Sequence, residues 1–225
     1  MGAKDWMLVY AEGNAADILR SQPTLDREAT RAFVERLHPS APLTPIDDAS
    51  LGSESAPDEG TVYAGVFPGL TLILTESAAQ YEPSELPQHY IDEARDRTLY
   101  LHAMHSTDAW FAYAIWEGGT LRRSLSLSPD DHILENLGEP LAFELPYWAG
   151  KRTADEEEDL DIAEFTRFIV IDGPLEDAPP RPFDFNPLDL AEEALRTLFG
   201  FAYESEMPAN APDLDRIVLA GYQVG

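Results

Sequence analysis

The chain has 225 residues, 44% of them hydrophobic and 10% aromatic, which is enough apolar material for one sizeable core and a length that favours one domain. Its 42 acidic residues against 15 basic ones give a formal net charge of -27, a field that repels phosphate backbones and anionic lipid. With no cysteine the chain has no disulfide, no thiolate nucleophile and no Cys-ligated zinc or iron–sulfur cluster.

Direct nucleic-acid and membrane binding are therefore not expected, whereas solubility, cation accumulation or a basic protein partner all suit the acidity. No stretch approaches the roughly 18 apolar residues of a membrane span. The apolar run near the N-terminus is too short for a signal-peptide core and meets Glu12-Gly13-Asn14 at once, so a cytoplasmic location is expected.

In chain order, Trp6 to Ala11 is a continuous apolar run and reads as a buried strand. Asn14 is placed to cap a short helix over Ala15 to Ser21, and Thr24 to cap a longer one with Asp26 and Glu28 in its first turn and Pro39 beyond its end. Ser40 to Gly60 reads as loop with at most a short extended piece. Thr61 to Phe67 and Leu70 to Thr75 form a hairpin pattern around Pro68-Gly69, followed by a helix pattern over Ser84 to Arg97 and a strand over Thr98 to His105.

The clearest local signal comes next. Trp110 to Trp116 and Leu121 to Leu127 flank Glu117-Gly118-Gly119-Thr120, and a two-residue Gly-Gly turn accepts the positive φ angles of a tight hairpin. Counting outward from that turn sets Trp116 opposite Leu121, Ala114 opposite Arg123, Ala112 opposite Leu125 and Trp110 opposite Leu127. Phe111, Tyr113 and Ile115 then share the other face with Ser126, Ser124 and Arg122. The first strand is apolar on both faces and reads as central; the second alternates Leu with Ser and reads as covered mainly on one side.

His132 to Leu137 suggests another strand, and 138 to 150 reads as irregular. Thr153 to Asp161 is an acidic run that reads as an exposed, variable loop, and Ile162 to Ile171 tilts toward a strand at its end. Asn186-Pro187 opens a helix with Leu188, Ala191, Leu195 and Leu198 on one face and Gly200 as its stop; Ile217 to Val224 is the last strand. The expected fold is α+β, a mixed or largely antiparallel sheet with helices packed against it.

Candidate chemistry centres on His105, Ser106 and Asp108, a histidine-assisted nucleophile in outline. The same Ser106-Thr107-Asp108 run is what a turn uses to bond its own backbone. His102 and His105 stand three apart, so on a regular strand they point to opposite faces rather than toward a shared metal. Phe111, Tyr113, Arg122, Ser124 and Ser126 form a candidate groove floor, against the plainer reading of the serines as a polar outer face. The acidic run lacks the glycine of a calcium loop, and no cofactor motif is present, so neither metal nor cofactor is expected.

Several segments together resemble an uncharacterised domain-of-unknown-function family found chiefly in actinobacterial proteins. They are Leu101-His102-Ala103-Met104-His105-Ser106, Arg123-Ser124-Leu125-Ser126-Leu127-Ser128-Pro129-Asp130, Glu135-Asn136-Leu137-Gly138-Glu139-Pro140 and Pro146-Tyr147-Trp148-Ala149-Gly150. Met1-Gly2-Ala3-Lys4, Leu8 to Ala11 and Ala194 to Phe201 are similar to the ends of the same family. The resemblance implies one domain over nearly the whole chain and a cytoplasmic bacterial protein. It implies no activity and transfers no catalytic residue. Two functional classes remain: a non-catalytic interaction protein with an acidic surface, and a small-molecule hydrolase using His105, Ser106 and Asp108.

Overall fold

The computed structural model describes residues 3–151 and 183–225. The readings of Thr153 to Asp161 as a loop and of Ile162 to Ile171 as a strand lie outside the described residues. Among the described residues nine strands form one sheet: β1 (Lys4–Ala11), β2 (Leu43–Ser50), β3 (Thr61–Phe67), β4 (Leu70–Leu74), β5 (Thr98–His105), β6 (Trp110–Glu117), β7 (Thr120–Ser128), β8 (His132–Leu137) and β9 (Val218–Val224). Their order is β2-β9-β3-β4-β1-β5-β6-β7-β8, and every pairing is antiparallel.

The apolar run around Trp6 makes β1 the middle strand, with Met7 to Tyr10 fully buried. Alternate residues of such a strand serve two cores. On one face Met7 and Val9 pack with Phe111, Tyr113 and Leu125 under α1 (Ala15–Arg20) and α5 (Pro187–Phe199). On the other, Leu8 and Tyr10 pack with Ala112 and Ala114 under α2 (Arg27–Leu37) and α3 (Gln88–Ala94). The protein is thus an α+β domain with helices on both faces of its sheet.

Local chemistry explains the element ends. Asn14 accepts from Asp17 N–H, and Asn186 from Leu188 N–H with Pro187 following, so both caps act as their sequences require. The cap of α2 is Asp26, not Thr24: its side chain accepts from Ala29 N–H. The 84–97 helix is shorter than expected because Pro87 separates a 3-10 turn at Pro83–Glu85 from α3. Part of 40–60 is the edge strand β2, paired with β9 and interrupted by a bulge between Ile46 and Ala49. Pro45, Asp47 and Asp48 hide its pattern, and they also suit an edge that must not recruit further strands.

The Gly118-Gly119 turn forms with φ of 53° and 74°, and Trp116 faces Leu121. Beyond that pair the expected register fails. Ile115 faces Arg123, so Arg122 is the extra residue of a bulge, and Ala112 lies opposite Ser126 rather than Leu125. Every later β7 side chain changes face. Leu125 and Leu127 join Tyr113 and Phe111, while Ser124 and Ser126 turn to the face of Ala114 and Ala112. The serines are also fully buried, contrary to a polar outer face, because the segment carrying the Pro83–Glu85 turn crosses over them. Trp110 Nε1–H donates to Ser126 Oγ at 3.1 Å, and Ser124 Oγ donates to Glu135.

The bulge sends Arg123 into the core. Its guanidinium meets Glu144, just ahead of the single-turn helix α4 (Leu145–Trp148), through Nε at 2.9 Å and Nη2 at 2.6 Å. Gly138 closes this arrangement. At φ 81° a Cβ there would stand 2.0 Å from the Arg122 carbonyl oxygen, so position 138 needs both positive φ and no side chain. Gly138→Ala is expected to cost about 2 kcal/mol or more, lowering Tm by roughly 4–8 °C. A thermal melt within a degree of the parent would disprove the close approach.

Candidate functional site

Ser106 to Asp108 is a 3-10 turn joining β5 to β6, closed by Ala109 in the left-handed region. The turn brings His105 and Asp108 together: His105 Nδ1 lies 3.1 Å from the Asp108 carboxylate. The two groups do not form a hydrogen bond, and His105 Nδ1 is buried without a hydrogen-bond partner. Ser106 Oγ is buried without a hydrogen bond, so no serine–histidine link exists here.

The face of the ring explains where His105 is held. It stacks on Trp6 with centroids 6.2 Å apart and planes 15° from parallel. Trp6 meets Trp110 at 6.0 Å, and Tyr81 lies over Trp110 at 5.1 Å. Three strands and one crossing segment therefore meet in a row of rings at the edge of the α2/α3 face. Tyr81 is the most exposed large apolar side chain among the described residues, at 61%.

His102 occupies the opposite face of β5, as alternation requires, against Phe111 and Phe199. Its Nδ1 lies 2.8 Å from an Asp5 carboxylate oxygen on β1, and its Nε2 lies 3.1 Å from the Ala191 carbonyl of α5. Both ring nitrogens thus face acceptors, which calls for an imidazolium when Asp5 is ionised. Burial disfavours that charge, but Asp5 outweighs it and holds the His102 pKa above its ordinary value. Burial likewise pushes the Asp5 carboxyl up, with His102 offsetting part of the shift. Nearby, the Glu192 carboxylate accepts from Tyr203 N–H at 3.0 Å and Ser205 Oγ at 2.7 Å. Sequence reasoning missed this pair; the signal was a buried-strand carboxylate, Asp5, set between Lys4 and the apolar run that begins at Trp6.

Phe111, Tyr113, Arg122, Ser124 and Ser126 do not line one groove. Phe111 and Tyr113 are buried beneath α5, the two serines lie on the opposite face, and Arg122 is exposed and pairs with Glu117. The bulge is the cause of the separation. Two depressions stand out elsewhere among the described residues: one of about 550 Å³ beside Leu25 and Pro68, and one of about 260 Å³ beside Arg95 and Asp96. Both are open, and neither is lined by His105, Ser106 or Asp108. Among the described residues, no three His, Asp or Glu side chains are placed to hold a metal.

The model of a family of unknown function, DUF6928, matches residues 5–222. The chain belongs to that family. Comparison with curated proteins and with solved structures gives no match. The family assignment names no chemistry, so the arrangement of the side chains must carry the functional reading. Among the described residues no helix is long and apolar enough to cross a membrane.

The buried pair has a pH signature. A raised His102 pKa gives stability that is complete below the unfolded value of about 6.5 and lost as pH climbs through the folded value. His102→Gln is therefore expected to cost about 3–5 kcal/mol near pH 6 and visibly less near pH 9. Urea unfolding at the two pH values checks this; a cost that is constant or grows with pH would refute the imidazolium.

Proposed function

We propose that this protein is a non-catalytic interaction protein that presents a strongly acidic surface to a basic protein partner. The observation that carries the reading is where its few cations go. Arg20, Arg27, Arg31, Arg36, Arg122 and Arg196 each ion-pair with a carboxylate of the same chain, and Arg123 is buried against Glu144. With 42 acidic residues against 15 basic ones, most carboxylates have no cation of their own. Such a field steers basic partners inward and turns nucleic acid and anionic membranes away.

The filled cores on both faces favour this reading over catalysis, since the open depressions offer no enclosed space for a small substrate. A small-molecule hydrolase remains the second reading, supported by the 3.1 Å approach of His105 to Asp108. It is the weaker one, because Ser106 lacks the hydrogen bond through which a base would activate it. A bacterial, cytoplasmic setting goes with the proposal and rests on the family resemblance.

Isothermal titration with a short lysine- and arginine-rich peptide, and with its acidic counterpart, tests the reading. The basic peptide is expected to bind, with affinity falling roughly tenfold or more between about 0.05 and about 0.3 M salt, and the acidic one not to bind. No heat with the basic peptide at low salt, or affinity indifferent to salt, would overturn the proposal.

A further inference from the structure

We propose that the ring cluster of Trp6, Trp110, Tyr81 and His105 is the anchor point at which the basic partner inserts an arginine side chain. The inference rests on the acidic-surface reading and gives it a location. Long-range charge brings a basic segment to the surface but does not fix where it docks; a desolvated aromatic contact does.

Three observations point to a guanidinium. The rings form a continuous cluster in which Trp110 is the buried base and Tyr81, Trp6 and His105 reach solvent: Trp6 to His105 at 6.2 Å, Trp6 to Trp110 at 6.0 Å and Trp110 to Tyr81 at 5.1 Å. Its outermost ring, Tyr81, is 61% exposed although it has an apolar body to bury. The chain's own Lys4, one of only two lysines, sets its Nζ 5.9 Å from the Trp6 ring centroid, so a cation already sits against this surface. Trp and Tyr faces attract cations through the ring quadrupole, and Arg adds planar stacking that Lys lacks.

The carboxylates complete the fit. Asp108 stands at the His105 end of the row with its side chain 66% exposed, and Glu82 follows Tyr81 directly and is exposed. A guanidinium laid on the exposed Tyr81 ring, which Trp110 backs from the core, would have the exposed Glu82 next along the chain as a carboxylate for its N–H donors. Tyr81 is held in place from below. It lies between two 3-10 turns, Glu76–Ala78 and Pro83–Glu85, and the second is fastened to β8 where Ser84 N–H donates to Glu135 at 3.0 Å. The ring is therefore presented by an ordered segment, which limits the entropy lost on binding.

The test uses the full chain and a peptide carrying spaced arginines at about 0.15 M salt, a concentration that screens exposed charges beyond about 8 Å. Binding is followed by the indole N–H resonances of the tryptophans and by titration calorimetry. The expected result is that the Trp6 and Trp110 resonances move on binding, that Tyr81→Ala weakens the peptide roughly fivefold, and that Tyr81→Phe, which keeps the ring, binds like the parent. Because Tyr81 is largely exposed, Tyr81→Ala should retain the parent's thermal melt, and the resonance shifts in the unaltered protein report independently of any variant. If the peptide binds in a salt-sensitive way but the indole resonances stay still and Tyr81→Ala binds unchanged, the anchor is overturned while the acidic-surface reading stands. If the peptide does not bind even at low salt, both fall.

Discussion

Arg123 has no route to solvent, and the far end of the sheet is organised around neutralising it. Taking a guanidinium and a carboxylate out of water costs several kcal/mol for each ion, and the attraction between them offsets this only when every remaining donor and acceptor is engaged. Glu144 meets that condition. Besides both Arg123 contacts it accepts from Tyr113 Oη, from Leu141 N–H at 2.7 Å and from Trp148 Nε1–H at 3.1 Å. Arg123 Nη1 turns the other way, to Asn136 Oδ1 at 2.6 Å and the Leu137 carbonyl at 3.0 Å. One ion pair thus joins β6, β7, β8 and α4. Burial alone would raise the Glu144 carboxyl, but Arg123, Tyr113 and Leu141 hold it below its ordinary range. Its contribution is therefore complete above the usual carboxylate pKa and is lost as pH falls through the folded one.

The same network brings together segments that lie far apart in the sequence. Arg123-Ser124, Glu135-Asn136-Leu137-Gly138 and Tyr147-Trp148 meet in space: the arginine and Trp148 at Glu144, the glycine against the bulge, and Ser124 at Glu135 beneath the crossing segment. Their work is to hold the crossing segment, and with it Tyr81, over Trp110. On the same face as Arg123 and Glu144, His102 and Asp5 form a second polar fastening that clamps α5 to β1 and β5. With both cores filled and fastened from within, the proposed binding role falls to the surface, where net negative charge and the exposed Tyr81 ring coincide.

Much of the fold was legible in the sequence because the local signals agreed with one another. The apolar run of β1, the Gly118-Gly119 turn, the Asn14 and Asn186 caps and the period of α5 each encode an element by chemistry within a few residues. What was not legible depends on partners far along the chain. A single extra residue, Arg122, reversed the faces of β7, and its reason lies in Glu144 and Gly138, more than a dozen residues away. β2 reads as loop because an edge strand with Pro45 and two aspartates needs only β9 to hold it. In the site, the approach of His105 to Asp108 was readable from their spacing in a turn. The pairing of Asp5 with His102, 97 residues apart, and the laying of Tyr81 on Trp110 follow from sheet order, which no local pattern reveals.

The central claim is that Arg123 and Glu144 act as one unit rather than as two independently buried groups. A double-mutant cycle with Arg123→Met and Glu144→Gln, read by urea unfolding, measures that unit directly. Each single change strands a buried charge or polar group and is expected to cost about 3–5 kcal/mol, with the double variant less destabilised than the sum by about 2 kcal/mol or more. Costs that simply add, to within about 0.5 kcal/mol, would contradict the account.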